Sequence, residues 1–377
     1  MADIVVKKVT DSPEMKKFIM FPWKVYKDDN VWVAPIISQY KKLFDKKHNP
    51  FYRHGEAEFY IAEKNGEIVG RIAAIKNDLH TETWKDGVGF FGYFESFNDQ
   101  EVANALLAKA QEQLKIWGFT EMRGPASPSS NEEYGVLIDN FTDPHVLLST
   151  YNARYYYDLY QKAGLTGIKK LYAIKFPGQA IKDKSGERLA RLRQTVVART
   201  GITFESLDMK KFKEAVTTFK GLFNEAWSTV NNHGWVPLTD EEFDVITADL
   251  KQITDPDLVM LARVDGKVVG GVICLPDYNE IFKSWKGKLF PFNFIDMFTK
   301  KKTITCLRIV ILGVLPEYQK KGLDAIMYYE ILERGMAKGM VWAEASYIVE
   351  DNMPMFKPLM NIGGEIYKTY MVMEKNI

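Results

Sequence analysis

Two stretches of this chain, 200 residues apart, repeat one pattern, and that repetition limits the fold more than any other feature. Residues 58–74 read EFYIAEKNGEIVGRIAA, and residues 258–274 read LVMLARVDGKVVGGVIC. In register, Ala62 matches Ala262, Gly66 matches Gly266, Val69 matches Val269 and Gly70 matches Gly270. Each stretch is a pair of apolar runs around Asn65-Gly66 or Asp265-Gly266, the dipeptides that accept φ > 0 at both centres of a tight hairpin turn. Two hairpins so far apart predict a duplicated unit, and 377 residues are enough to bury two cores.

The flanks repeat as well. Trp32-Val33-Ala34-Pro35 corresponds to Trp235-Val236-Pro237, with helical patterns upstream near Ser12–Tyr26 and Lys210–Trp227. Downstream come a strand (Val88–Glu95; Leu307–Val314) and an amphipathic helix (Glu101–Trp117; Leu323–Ala337) with apolar residues at helical spacing. A strand (Thr120–Arg123; Val341–Tyr347), a helix (Tyr155–Ala163; Pro354–Asn361) and a last strand (Lys170–Phe176; Glu365–Glu374) follow. Each half therefore reads β-α-β-β-β-α-β-α-β. The charged stretch between them, SGERLARLRQTVVARTG, predicts a spacer helix, with domains over 1–177 and 203–377 and a linker over 178–202.

The second half carries a ligand-binding signal, GVLPEYQKKGLDA over residues 313–325, between the β-branched run RIVIL and a helix. A strand, a basic turn and a helix start can hold a pyrophosphate, because turn N–H groups converge and the helix N-terminus adds partial positive charge. Gly322 permits φ > 0 or close approach of a ligand, and Gln319, Lys320 and Lys321 add donors and charge. The plain alternative is an ordinary β-turn-α connection with solvated lysines.

Val314, Pro316, Gln319 and Gly322 resemble the coenzyme-A loop of the GNAT superfamily of acyl-CoA-dependent N-acyltransferases, Val-x-Pro-x-x-[Gln/Arg]-x-x-Gly-x-[Gly/Ala]. Asp324 departs from that pattern. The element order of both halves is similar to the GNAT fold. This implies an α/β fold of mixed sheets with helices on both faces, two GNAT-like domains in tandem, related by an internal pseudo-twofold repeat. Tandem copies occur in N-myristoyltransferases and in peptidoglycan-bridge aminoacyl-transferases. The strings FNEAW, GWVPLT and FFGYFES also resemble a family of bacterial double-GNAT proteins.

The resemblance implies an acyl-CoA substrate, acetyl or longer. Leu312, Gly313, Val314, Gln319, Lys320, Lys321, Gly322, Leu323 and Asn352 would line its site. Many GNAT enzymes place a thiolate-protonating tyrosine in the last helix. The first half has one, Tyr160 in LYQKAGL, while Leu359 takes that place in the second half. Tyr160 is thus a candidate acid or a core tyrosine. Glu344, on the strand bordering the amine in GNAT proteins, is a candidate base or a salt-bridged strand residue. Glu350, Asn352, Tyr367 and Tyr370 are weaker candidates. In the first half SFNDQE replaces the loop, so Asp99 and Glu101 would cap a helix and repel a phosphate.

Fifty basic and 49 acidic residues give a net charge of +1, which argues against a general polyanion or DNA binder. Two cysteines in apolar runs, Cys274 and Cys306, suggest buried thiols in a reducing compartment. With no signal-like leader and no spanning apolar run, a cytoplasmic protein is expected. Five scattered histidines lack ligand spacing, so no metal is expected. Residues 279–303 interleave six aromatics with six lysines, which suits a lid over an acyl chain, a lipid or partner contact, a nucleic-acid contact, or a loop on the core. The favoured reading is N-acyl transfer to a small-molecule or peptide amine. The alternatives are a non-catalytic GNAT pair that binds a ligand, lipid or protein, and an aminoacyl-tRNA-dependent transferase.

Overall fold

The computed structural model describes residues 3–228 and 236–377, so Trp235 lies outside the described residues. The main strands, in chain order, are β1 (Ile4–Lys8), β2 (Gly55–Lys64), β3 (Glu67–Asn77), β4 (Val88–Ser96), β5 (Glu121–Gly124) and β6 (Thr166–Pro177) in the first half. The second half contributes β7 (Thr203–Ser206), β8 (Val259–Val264), β9 (Lys267–Pro276), β10 (Cys306–Val314), β11 (Trp342–Val349) and β12 (Glu365–Asn376). The helices that shape the site are α1 (Gln100–Ile116), α2 (Tyr156–Lys162), α3 (Gly178–Thr200), α4 (Leu323–Ala337) and α5 (Met353–Ile362).

The hairpin turns adopt the conformation their dipeptides favour. Asn65 and Gly66 have φ of 54° and 80°, and Asp265 and Gly266 have 48° and 77°. Even the register slip recurs, between Ala62 and Glu63 in β2 and between Ala262 and Arg263 in β8. The duplication is thus visible in backbone geometry.

The halves do not close their own sheets. One 13-stranded sheet runs β1-β2-β3-β4-β5-β12-β6-β11-β10-β9-β8-β7, with the short Val136–Leu137 strand paired to β12. The last strand of each half crosses to the other. β12 pairs with β5, and β6 pairs with β11, while β6 and β12 run antiparallel to each other at the centre. Three large hydrophobic clusters flank this sheet. One packs β6 and β9–β11 against α3, α4 and α5. A second lies under α1 and α2, and a third joins both halves through Leu171, Ala173, Val349 and Tyr370. The predicted spacer is α3, whose Ile181, Leu189 and Val196 are buried. Among the described residues, no helix is long and apolar enough to cross a membrane.

Candidate functional site

Parallel strands β10 and β11 pair only from Cys306–Ile309 against Trp342–Ala345 and then part. Beyond Ile309, β10 keeps its partner on one side, β9, as far as Val314. The splay opens a cavity of about 1190 Å³. Its walls come from Leu312–Val314 of β10, the 316–322 turn, the start of α4, the length of α5 and the face of α3 bearing Leu189 and Leu192.

The turn enters α4 through Lys320 (φ 59°) and Gly322 (φ 81°). Gly322 is the N-cap and offers no side chain to the helix N–H groups. A Cβ there would meet only Leu192 and Val196, at 3.5 Å or more, so the restriction at this site is backbone conformation rather than space. Gln319 ties the turn down by donating from its side-chain amide to the Val314 carbonyl at 3.0 Å. The first-turn N–H groups of a helix lack intrahelical partners, and their dipole favours an anion.

Asp324 is the cavity-lining acid at this helix start. Burial pushes its carboxyl above the usual carboxylate range, and the N–H groups of Ala325 and Asp324 itself pull it down again. Its carboxylate therefore competes for the donors that a phosphate would use. One turn on, Tyr328 lines the cavity with its ring stacked 6.4 Å from Phe176. Its hydroxyl is buried without a hydrogen-bond partner, and burial drives the phenol pKa well up.

Of the residues expected from sequence, Leu312, Gly313, Val314, Gln319, Lys320, Gly322 and Asn352 line the cavity together. Leu323 does not, because its side chain is 3% exposed and points into the core. Lys321 is also outside the lining, with its ammonium 5.2 Å from the Tyr318 ring. Tyr160 sits in the first-half core, far in the sheet from this cavity, with its ring 5.4 Å from Phe91 and 5.0 Å from Phe94. Its phenol is pushed well up by burial. These rings, with Tyr156, fill the space under the first half's own β4/β5 pair. There Asp99 caps α1 and pairs with Lys64 at 2.8 Å, as its position predicts. In the second half Leu359 is fully buried in the core.

Glu344 lies on the opposite face of β11 from α4, since its neighbours Ala343 and Ala345 are the ones that pack in the α4 cluster. It is wholly buried and does not line the cavity. Arg308 Nη1 donates to its Oε1 at 3.0 Å, Ser346 Oγ at 2.6 Å and Ser149 Oγ at 3.3 Å, and Tyr367 Oη donates to Oε2. Burial raises the Glu344 pKa and the Arg308 guanidinium opposes that rise. Residues 140–150 of the first half close over this cluster. Lys368 Nζ donates to the carbonyls of Asn140 and Asp143, both at 2.7 Å, and Leu147 N donates to Asp277 at 2.8 Å. Sequence reasoning missed Arg308, although a charge inside RIVIL was a signal. It also missed Tyr328, which reads as one more ring on an amphipathic helix. Among the described residues, no group of histidine, cysteine or acidic side chains could hold a metal ion.

A model of the acetyltransferase (GNAT) family matches residues 219–357 of this chain. The chain is 30% identical to the bacterial ceramide synthase of Caulobacter vibrioides, covering 99% of this chain and 98% of that protein. It is 29% identical to protein YghO of Escherichia coli, covering 99% and 95%. Among solved structures, a tandem GNAT protein from the clavulanic acid biosynthesis pathway superposes with a TM-score of 0.52 at 10% identity, over 99% of this chain and 98% of that one. That likeness shows the tandem fold.

The Arg308–Glu344 pair generates a stability prediction. Arg308→Met strands a buried carboxylate and is expected to cost about 3–5 kcal/mol in urea unfolding. Because the folded pKa of Glu344 then rises further, the deficit is smallest below the ordinary glutamate range. It grows as pH climbs through the shifted pKa. Adding Glu344→Gln should recover part of the loss; if it deepens the loss instead, the pair is not what holds this cluster.

Proposed function

The chain belongs to the GNAT acetyltransferase family, and on that premise we propose that it moves an acyl group from coenzyme A to an amine at the second-half cavity. The observation that carries this reading is the 316–322 turn. It brings an uncapped helix N-terminus and a left-handed glycine to the wall of a cavity that begins where β10 loses its β11 partner. A pyrophosphate fits the turn, and the free edge of β10 suits the amide groups of pantetheine. The apolar wall from Leu189, Leu192, Met353, Met355 and Ile362 suits a long acyl chain. The name of the Caulobacter relative, a bacterial ceramide synthase, supports the same class of reaction.

In this reading the amine attacks the thioester carbonyl directly. The C–N bond forms, the C–S bond breaks, one proton leaves the amine and one reaches the thiolate. Glu344 has the raised pKa that a base benefits from. Because it lies on the other face of β11 from the cavity, it can serve only an amine that arrives from that face, through the Ser149 or Tyr367 hydroxyls that bind it. With Leu359 where a tyrosine would stand, Tyr328 is the hydroxyl that offers the thiolate its proton. A second reading, a GNAT pair that binds without catalysis, draws on Asp324 and Leu359. It predicts binding with no turnover.

Coenzyme A, acetyl-CoA and a long-chain acyl-CoA test the site by thermal shift. A ligand at a hundred times its dissociation constant stabilises by about 2.7 kcal/mol. Gly322→Glu should erase the shift, through a strained left-handed backbone and an added charge. No shift with any of the three compounds would sink the proposal. Asp324→Asn should tighten coenzyme A about tenfold, since a carboxylate near a phosphate repels it by an amount between the bulk-water and protein-surface limits. The wild type carries that charge above its raised pKa and loses it below, so its affinity should improve as pH falls through that value. The asparagine variant should show a flatter profile, read by calorimetry. For the proton donor, Tyr328→Phe should lower kcat roughly a hundredfold with KM little changed. An unchanged kcat would remove Tyr328 from the chemistry.

A further inference from the structure

We propose that the arm between β9 and β10 docks this protein on an anionic lipid surface. The arm is anchored at its base and apolar at its tip. Ile281, Phe282, Trp285 and Ile304 are buried in one cluster with Val33 and Leu275. Trp285 Nε1 donates to Asp296 at 3.3 Å, and Asn293 Nδ2 donates to the Lys288 carbonyl at 2.6 Å. The first half grips it too, through Trp23 Nε1 to the Lys286 carbonyl at 3.0 Å and Ile37 N to the Gly287 carbonyl at 2.9 Å.

Above that base, Phe290, Phe292 and Phe298 are 69%, 72% and 77% exposed, beside the partly exposed Phe294 and Ile295. A floppy loop could fold such rings under itself. Here the anchors hold them outward, which is the arrangement expected of a surface that meets an apolar phase.

Charge identifies that phase. Residues 279–303 hold six lysines against two acids, a net +4 in a chain whose total is +1. Both acids are already engaged. Glu280 accepts from the backbone N–H groups of Thr305 and Cys306, and Asp296 accepts from Lys300 and Trp285. Lys283, Lys286, Lys288 and Lys302 are exposed, and no ion pair joins them to an acid among the described residues. Phenylalanines at the tip with unpaired ammonium groups around them match a bilayer of acidic phospholipid, where rings enter the acyl boundary and lysines meet phosphates. A second copy of the chain would bring two such cationic arms together in a self-complementary contact, which the charge opposes. The proposal does not depend on acyl transfer.

The test is co-sedimentation of the full chain with vesicles of phosphatidylcholine, alone or with phosphatidylglycerol. Wild type should bind the mixed vesicles at least tenfold more strongly than the neutral ones. Added salt should erode the difference. Phe290→Ser, Phe292→Ser and Phe298→Ser together should abolish binding. Lys286→Glu, Lys288→Glu and Lys302→Glu together should remove the preference for phosphatidylglycerol, since each lysine near an anionic surface contributes roughly fivefold. Melting temperatures matching wild type would show that both variants fold. Failure of the folded wild type to bind either vesicle overturns the proposal, as does undiminished binding by the phenylalanine variant. So does a wild-type dimer in size-exclusion chromatography that the phenylalanine variant abolishes, or a preference for single-stranded RNA over the mixed vesicles.

Discussion

The exchange of β6 and β12 is the constraint on which the rest of the structure depends. Sheet edges carry unpaired backbone groups, and a half that kept its own last strand would end in one. Here each last strand is enclosed by strands of the other half, so the backbone hydrogen bonds at the centre of the molecule are made between halves. The same crossing sets β6 beside β11 and leaves β11 free to part from β10. The cavity therefore opens at a strand pair whose far side is held by the first half of the chain.

That arrangement sets different features on the two faces of the sheet. On one, the turn around Gly322 and the helices α3, α4 and α5 surround the cavity. On the other, Glu344, Arg308 and Ser346 form a buried polar cluster under residues 140–150. In the first half Phe91, Phe94, Tyr156 and Tyr160 pack in one core cluster, and its residues 140–150 cover Glu344.

Much of this was legible in the chain. The Asn-Gly and Asp-Gly hairpins, the alternation of strands and helices, and the Val314–Gly322 turn are local, and local chemistry decides them. Asp99 as a helix cap was readable for the same reason. The strand exchange was not, because β6 and β12 have the same apolar alternation whichever sheet receives them. The surroundings of Glu344 were hidden too. Ser149 is 195 residues away in sequence, and no periodicity links it to β11. Leu323, which follows the loop glycine directly, faces the core because the helix turn at that point rotates it inward.

The helix α3 joins the halves, and it also forms a wall. Arg199 donates to the Lys321 carbonyl and Arg193 pairs with Glu330 at 2.8 Å, while Leu189 and Leu192 face the cavity. Most connections between domains tolerate changes of length. A single residue gained or lost before Leu189 would turn this face by about 100°, carrying the two leucines off the cavity and the arginines off Glu330 and the Lys321 carbonyl. The segment that lets two domains share one chain is therefore as fixed in length as a strand within the sheet.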